Sequence, residues 1–362
     1  MAERARALVA VLAVVVTGCS GSAAFAPPNT GAVRDARAFL DRYVAADGRV
    51  VRHDQGGDTV GEGQSYGLVL AQVAGDPEAF ARIWAWTDAH LRRPDGLLAG
   101  RWADGAVVDD DSASDADLLT VWALLRADVR YRAAGEELAK TVLAEEVVAL
   151  PAGPVLAAGQ WATGQPATLN PSYWALGIMR DLAARTGDPQ WTALADTAVP
   201  IVSELTGGGT TLPPDWARVD AGRVSATPAP SGQVPDVRYS LDAQRVVVWF
   251  ATARDPAARA LAARWWTSLG ETSRSTPIAL RLDATVLDFP LTCQLEGCDG
   301  PARYPARTRF RSSPRPPRPP RPVTRPPGTG CSTGPGRSTR AGPATTARPG
   351  SHSAWPSSPP TC

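Results

Sequence analysis

This sequence of 362 residues contains almost no lysine and almost no histidine. Lys140 is its single lysine, so the positive charge comes from arginine, and a formal net charge of +1 gives no indication of a nucleic-acid partner. The three histidines, His53, His90 and His352, are too scattered for a zinc site or a Ser-His-Asp triad. No glycine-rich phosphate-binding loop follows a predicted strand. Carboxylates therefore remain as the candidate catalytic groups.

Long apolar runs are also scarce, and the run at residues 7–16 is too short to span a membrane. It follows Arg4 and Arg6, as in an export signal, and leads into VTGC at residues 16–19, which resembles a bacterial lipobox. Residues 1–19 are thus predicted to be a lipoprotein signal peptide with Cys19 lipidated, and residues 20–31 a flexible tether. An ordinary signal peptide with an incidental cysteine is the alternative. We expect the protein to be lipid-anchored on the outer face of the cell membrane, or secreted.

Aspartate and glutamate are absent from residues 300–362, which are rich in arginine and proline instead. The Arg/Pro run at 314–327 cannot form a core helix, so this composition predicts a disordered tail. A basic arm for an anionic cell wall and inert disorder are two interpretations. A third, which we favour, is a reading-frame error near residues 290–310, because a shifted frame is compatible with a run of alanine codons. The four late cysteines lack metal-site spacing: Cys293, Cys298, Cys331 and Cys362.

Residues 32–299, the predicted folded domain, show helical periodicity. Nine helices are predicted, at residues 33–44, 63–75, 77–92, 114–129, 133–148, 171–186, 189–205, 237–252 and 257–269. No alternating strand series is found, which argues against a parallel sheet. The helices come in pairs that recur roughly every 50 residues, a pattern typical of an α-toroid or solenoid. Long loops at 94–113, 150–170 and 206–236 are expected to carry the site.

Acidic residues recur beside glycine, tyrosine and tryptophan near the predicted helix starts: Glu62, Asp115, Asp117 and Asp242. Two carboxyl groups beside aromatic platforms are what the hydrolysis of a glycosidic bond requires. Some of these acids also have a structural interpretation, since Thr59-x-x-Glu62 and Ser114-x-x-Asp117 fit the capping box. We favour that role for Asp117. Residues 109–111 are predicted to be a solvated acidic loop, and a surface acid is the alternative for Asp242.

Five segments make the pattern specific, because together, and in the same order, they resemble glycoside hydrolase family 8. They are GEGQSYG (residues 61–67), VDDDSASDADL (108–118), NPSYW (170–174), LPPDW (212–216) and YSLDAQR (239–245). Within the family they are most similar to the endoglucanases associated with cellulose synthesis. Gly61 and Ser65 depart from the serine and glycine that are usual there, but the acidic residues are in place.

The resemblance implies an all-α (α/α)6 barrel, incomplete at the C-terminus because nine helices are predicted where the family has twelve. It implies an inverting, endo-acting hydrolase of cellulose-like β-1,4-glucan, with Glu62 as general acid and Asp242 as general base. Asp115 would bind the sugar on the non-reducing side of the scissile bond. An inverting pair needs about 6.5–9.5 Å between its carboxyl groups. Glu62 must stay protonated, so a dry site or carboxylates such as Asp115 must outweigh the helix N-terminus.

The implied substrate-binding residues are four aromatic side chains and one arginine: Tyr66, Trp102, Tyr173, Tyr239 and Arg245. Each aromatic residue could equally belong to the core. A packing role is predicted for the tryptophans that lie within helical apolar stripes: Trp84, Trp86 and Trp122.

No cofactor or metal is implied, because carboxyl groups supply both proton transfers. The expected partners are a β-linked polysaccharide and, through the lipid anchor, the membrane, and we expect a monomer. A chitosanase, xylanase or lichenase of the same family is one alternative. A non-catalytic glycan-binding surface lipoprotein is another.

Substitution of Cys19 tests the predicted anchor. We expect Cys19→Ser to move the protein from the membrane fraction to the soluble exported fraction, because stable retention requires a lipidated residue. Ser22→Ala, in the predicted tether, is the control and should stay with the membrane. Fractionation and immunoblotting measure both variants. Equal membrane retention of Cys19→Ser and the unmodified sequence would show that this cysteine is not the anchor.

Overall fold

The computed structural model describes residues 30–53, 55–232, 235–270 and 280–283. The predicted signal peptide with Cys19, most of the tether, the tail at 300–362 and the proposed frame error lie outside these residues. Among the described helices, none is both long and apolar enough to cross a membrane.

Nine α-helices lie within the described residues, and they confirm the nine predicted from the sequence. They are α1 (Thr30–Tyr43), α2 (Gly61–Ala74), α3 (Pro77–His90), α4 (Ser114–Arg126), α5 (Arg132–Glu145), α6 (Leu176–Thr186), α7 (Gln190–Leu205), α8 (Leu241–Thr252) and α9 (Pro256–Leu269). Two of them start later than predicted. The chain leaves the helical conformation at Trp174, after a 3₁₀ turn at Pro171–Tyr173, and Tyr239 is held extended by backbone hydrogen bonds with Leu280.

The helices form two layers. In the inner layer α2 packs on α4, α4 on α6, and α6 on α8. The remaining helices back this layer, with α1 and α3 on α2, α5 on α4, α7 on α6, and α9 on α8. All of α4 except Trp122 and Arg126 is buried, as expected for a helix enclosed on every side. Two layers of paired helices agree with the expected barrel. Closure of the ring stays a prediction.

Within the described part of the chain, eight short strands in three antiparallel sheets lie in the connections between helices. They are β1 (Thr59–Val60), β2 (Arg101–Ala103), β3 (Ala106–Asp109), β4 (Val147–Leu150), β5 (Gly153–Leu156), β6 (Ala167–Leu169), β7 (Trp216–Asp220) and β8 (Arg223–Thr227). No strand pairing among the described residues is parallel, as predicted. The sequence pattern does not reveal these strands, because they are too short. Asp104-Gly105 and Ala221-Gly222 join two hairpins with positive φ at both positions, as type I′ turns require.

Gln64, buried in α2, ties this inner helix to its neighbours. Its side-chain oxygen accepts the N–H of Val50, in the connection from α1, and its side-chain nitrogen donates to Thr87 Oγ1 in α3 at 2.7 Å. Gly67 lies on the same side of α2, where a Cβ would come within 2.8 Å of a Val50 methyl. The α1–α2 connection is therefore held tightly against the helix that carries Glu62.

Replacement of Gln64 by leucine tests this anchor. Leucine has a similar volume but leaves the buried Val50 N–H without its acceptor, so we expect a loss of about 1–3 kcal/mol in the free energy of unfolding. Gln190→Leu, an exposed position at the start of α7, is the matched control and should change stability by less than about 0.5 kcal/mol. Urea denaturation measures both. Equal stabilities of the two variants would contradict the anchoring role.

Candidate active site

Three carboxylates begin three of the inner helices. Glu62, Asp115 and Asp242 are each the second residue of their helix, in α2, α4 and α8 respectively. Antiparallel sheet pairing fixes one of these starts directly, because β1 is hydrogen-bonded to β2 and runs straight into α2. Because α2 packs on α4, and Arg245 in α8 is hydrogen-bonded to Tyr66 in α2 and to Asp115 in α4, the carboxylates lie together at one end of the structure.

Arg245 connects the groups at this end. It lies one helical turn after Asp242, and one guanidinium nitrogen donates to Tyr66 Oη and to Asp115 Oδ2, both at 2.7 Å. The other nitrogen donates to Ser172 Oγ and to Asp242 Oδ1, both at 2.9 Å. Burial disfavours the charged guanidinium, but Asp115 and the other acidic neighbours outweigh it and raise the pKa of Arg245. It therefore stays charged and holds four groups in place.

The 3₁₀ turn at Pro171–Tyr173 supplies the remaining polar contacts. Asn170 caps this turn by accepting the Ser172 N–H, and its side-chain nitrogen donates to Asp242 Oδ2 at 3.2 Å. Both oxygens of Asp242 thus accept hydrogen bonds, one from Arg245 and one from Asn170. The ring of Tyr173 lies 5.4 Å from the guanidinium carbon of Arg245, within the range of a cation–π contact.

Burial sets the protonation of two of the three acids. It raises the pKa of Glu62, and the nearby charge of Asp242 adds to the effect, although Arg245 opposes it. Burial, followed by the charge of Glu62, also raises the pKa of Asp115 to about 7. The expectation that a dry or anionic site outweighs the helix N-terminus at Glu62 is met, with burial as the larger cause. Both carboxyl groups are thus protonated at a higher pH than exposed acids are.

Neither capping box forms, so that structural interpretation is wrong for both motifs. Thr59 Oγ1 donates to the Val50 carbonyl and Ser114 Oγ to the Ala157 carbonyl, while the residues that precede α2 and α4 make no side-chain cap. Asp117 still has a structural contact, because its Oδ1 accepts the N–H of Leu98. Glu62 is free of a capping duty that would require it to be ionised.

Two predicted sugar-binding residues, Trp102 and Tyr239, pack against other parts of the protein and are not among the hydrogen-bond partners of Arg245. Trp102 packs edge-on against Trp86 and His90, at ring-centre distances of 5.6 and 4.9 Å. Tyr239 is buried in the main core, where its backbone pairs with Leu280, and burial raises the pKa of its hydroxyl to about 12. The core interpretation therefore describes Tyr239 better. The structure brings together the other predicted residues: Glu62, Asp115, Asp242, Tyr66, Tyr173 and Arg245.

A cleft of about 240 Å³ opens beside Glu62 and contains an aromatic residue that the motifs do not reveal. Trp161 lines it together with Tyr173, and its side chain is 41% exposed. Its indole N–H donates to the Ser112 carbonyl at 3.1 Å. The available signal is a tryptophan in a long loop, outside any helical stripe. The predicted acidic loop at 109–111 is exposed, as expected, but Asp109 and Asp111 also line this cleft.

Asp215 is a second residue whose place the motifs do not reveal. It is 3% exposed, and its carboxylate accepts the backbone N–H groups of Ser240 and Ala243, at 2.8 and 2.9 Å, as well as the Ser240 hydroxyl. Asp215 therefore caps α8 from a distant part of the chain. The LPPDW segment contains it, but nothing in that segment indicates that its partner is the helix of Asp242.

Comparison with known proteins agrees with the geometry of the site. The sequence profile described as Glycosyl hydrolases family 8 matches residues 2–277. A probable endoglucanase of Novacetimonas hansenii is 33% identical over 265 residues, which cover 69% of this chain and 77% of that protein.

Solved structures show the same relationship. The endo-β-1,4-glucanase CMCax from Acetobacter xylinum superposes with a TM-score of 0.62 at 28% identity, covering 71% of this chain and 84% of that one. The endoglucanase Cel10 from Klebsiella pneumoniae, described as a family 8 glycosyl hydrolase, gives a TM-score of 0.62 at 26% identity, over 75% and 93% of the two chains.

Substitution of Asp215 tests whether the start of α8 controls the site. We expect Asp215→Ala to lower the free energy of unfolding by about 1–2 kcal/mol through loss of a helix cap, and to lower kcat by roughly 10²-fold because Asp242 shifts. Asp255→Ala is the matched control. Asp255 also caps its helix, α9, by accepting two backbone N–H groups, but α9 carries no site residue. Thermal unfolding and turnover of soluble β-glucan measure both. Equal losses of activity in the two variants would contradict the positioning role.

Proposed function

Because the chain belongs to family 8 of the glycosyl hydrolases, we propose that it is an endo-1,4-β-glucanase that cleaves cellulose-like β-1,4-glucan with inversion at the anomeric carbon. The observation that carries the proposal is the cluster of Glu62, Asp115 and Asp242 at three helix starts, in which Arg245 joins Asp115 to Asp242. Carboxyl groups in two different environments are what acid and base catalysis at a glycosidic bond require.

Glu62 acts as the general acid. Burial raises the pKa of Glu62, so its carboxyl group holds a proton at a pH where an exposed glutamate is ionised. It lies in the wall of the cleft beside Trp161 and Tyr173. In the reaction its proton passes to the glycosidic oxygen as the bond from the anomeric carbon to that oxygen breaks. The leaving chain departs as a neutral alcohol.

Asp242 acts as the general base. Arg245 and Asn170 each donate to one of its oxygens, and these two hydrogen bonds fix the plane of the carboxylate. It accepts a proton from a water molecule while the water oxygen attacks the anomeric carbon from the face opposite the leaving group. The product is inverted, and Asp242 ends protonated as Glu62 ends ionised.

Asp115 and the aromatic residues bind the sugar. Asp115 shares Arg245 with Asp242, so its carboxyl group is held next to the reacting centre, where it accepts hydrogen bonds from the hydroxyl groups of the sugar on the non-reducing side. Tyr66 is placed by the same arginine. Trp161 and Tyr173 line the cleft, and aromatic rings are suited to stacking on pyranose rings.

The choice of glucan rests on the relatives whose names carry the word endoglucanase, at 26–33% identity. A chitosanase, xylanase or lichenase is the alternative within the family. A non-catalytic glycan-binding lipoprotein is the alternative outside it, and the presence of all three carboxylates at the site favours an active enzyme. Residues 1–19, with Cys19, support a location on the outer face of the membrane, where a polymeric substrate is accessible.

Substitution of the two reacting acids tests the proposal. We expect Glu62→Gln and Asp242→Asn each to lower kcat on carboxymethylcellulose by about 10²–10⁴-fold, because each removes one proton transfer. Glu137→Gln, an exposed acid of α5, is the control and should retain full activity. Reducing-end release measures the rate, and proton NMR of the first-formed product should show the α-anomer. A β-anomeric product, or full activity of either variant, would overturn the assignment.

A further inference from the structure

Two carboxyl groups are buried close to the site without taking part in the Arg245 contacts. Asp117 and Glu146 are both 0% exposed. Each has one oxygen in a hydrogen bond, from the Leu98 N–H to Asp117 Oδ1 at 3.0 Å and from the Ser112 hydroxyl to Glu146 Oε1 at 2.7 Å. The other oxygen of each, Asp117 Oδ2 and Glu146 Oε2, is buried without a hydrogen-bond partner. Two such oxygens in one region need an explanation, because an unpaired buried polar atom is costly.

Burial and the charges around this pair disfavour the state in which both carboxyl groups are ionised. Burial and then the charge of Glu146 raise the pKa of Asp117, and burial raises the pKa of Glu146 to about 8, with the charge of Asp115 adding to it. Arg93 opposes both shifts and Asp95 reinforces the one at Glu146. The guanidinium of Arg93 is itself bound to Asp95 at 2.7 Å, so its charge is already shared.

Glu146 also holds one wall of the cleft. The Ser112 hydroxyl donates to Glu146 and accepts the Gln160 N–H at 2.9 Å, while the Ser112 carbonyl accepts the Trp161 indole N–H. Gly159 allows this close contact, since a Cβ there would come within 2.1 Å of the Ser112 carbonyl oxygen. The orientation of the exposed indole therefore depends on Ser112, and the orientation of the Ser112 hydroxyl depends on Glu146.

We propose that Asp117 and Glu146 share a single proton between their two unpaired oxygens, and that the pair is a positioning device that holds Ser112 and, through it, the Trp161 face of the cleft. The identification of glucan as the ligand of that face rests on the proposed function. The shared proton is independent of the proposed function, because it is a property of the folded chain. Neither residue touches the substrate, so both are positioning residues.

The shared proton is tested by stability against pH. A proton bound by Glu146 in the folded chain, but released in the unfolded chain above its ordinary pKa of 4.5, stabilises the fold at low pH. That stability is lost as the pH rises toward about 8. In Glu146→Gln the amide supplies the bridging hydrogen permanently, so its Tm relative to the original protein should rise steadily over this window. Glu145→Gln, the same change at the exposed preceding residue, should show a constant difference. Parallel curves for Glu146→Gln and Glu145→Gln would overturn the shared proton.

The link to the cleft is tested by kinetics. We expect Ser112→Ala to raise KM for soluble glucan roughly fivefold with kcat little changed, as for the loss of one neutral hydrogen bond. Trp161→Ala should raise KM at least as much, and the double variant no further, because the loss of the Ser112 hydroxyl acts on KM only through the orientation of the Trp161 side chain. Glu146→Ala should raise KM and Glu146→Gln restore it. Additive effects of Ser112→Ala and Trp161→Ala would overturn the positioning role.

The two tests fail independently of the proposed function. If neither the original protein nor any variant cleaves glucan, the endoglucanase assignment fails. The pH dependence of the Tm still shows whether the proton is shared. If the protein is active and the Tm curves are parallel, the shared proton fails and the endoglucanase assignment stands.

Discussion

The guanidinium of Arg245 is the interaction on which the rest of the site depends. It is hydrogen-bonded to Tyr66 in α2, Asp115 in α4, Ser172 in the 3₁₀ turn and Asp242 in its own helix. These four hydrogen bonds therefore fix the relative positions of four separate elements. Without the cation, two carboxylates would remain close together with little to offset their repulsion, and a buried unpaired charge is strongly destabilising.

The start of α2 and the burial of the site act in opposite directions on the pKa of Glu62, and the contacts of the two proposed reacting acids differ. Glu62 and Asp242 are both the second residue of an inner helix, where the helix dipole favours a negative charge. Burial dominates at Glu62 and raises its pKa, whereas Asp242 accepts hydrogen bonds from Arg245 and Asn170. The same position in a helix thus serves two proposed chemical roles. The two carboxyl groups differ in their surroundings rather than in their chemical type.

The sequence predicts what depends on local periodicity and misses what depends on contacts between distant segments. All nine helices follow from apolar spacing, and the acids at their starts follow from the motifs. The cap of α8 does not, because Asp215 and Ala243 are 28 residues apart. The two apparent capping boxes fail for the same reason, since Thr59 donates its hydroxyl proton to a different segment. Residue type alone also cannot separate Trp161, which faces the cleft, from Tyr239, which is buried.

The wide separation in sequence of the site residues has a consequence for the order of folding. Tyr66 and Arg245 are 179 residues apart, and Asp115 and Arg245 are 130 apart. A chain that has folded only as far as α7 contains Glu62 and Asp115 but has neither the arginine nor Asp242. Contacts of such long range form late, because the entropy of closing the intervening chain must be overcome first. The site therefore assembles only after α8 docks, and a nascent or partly folded chain carries the proposed proton donor without the proposed base.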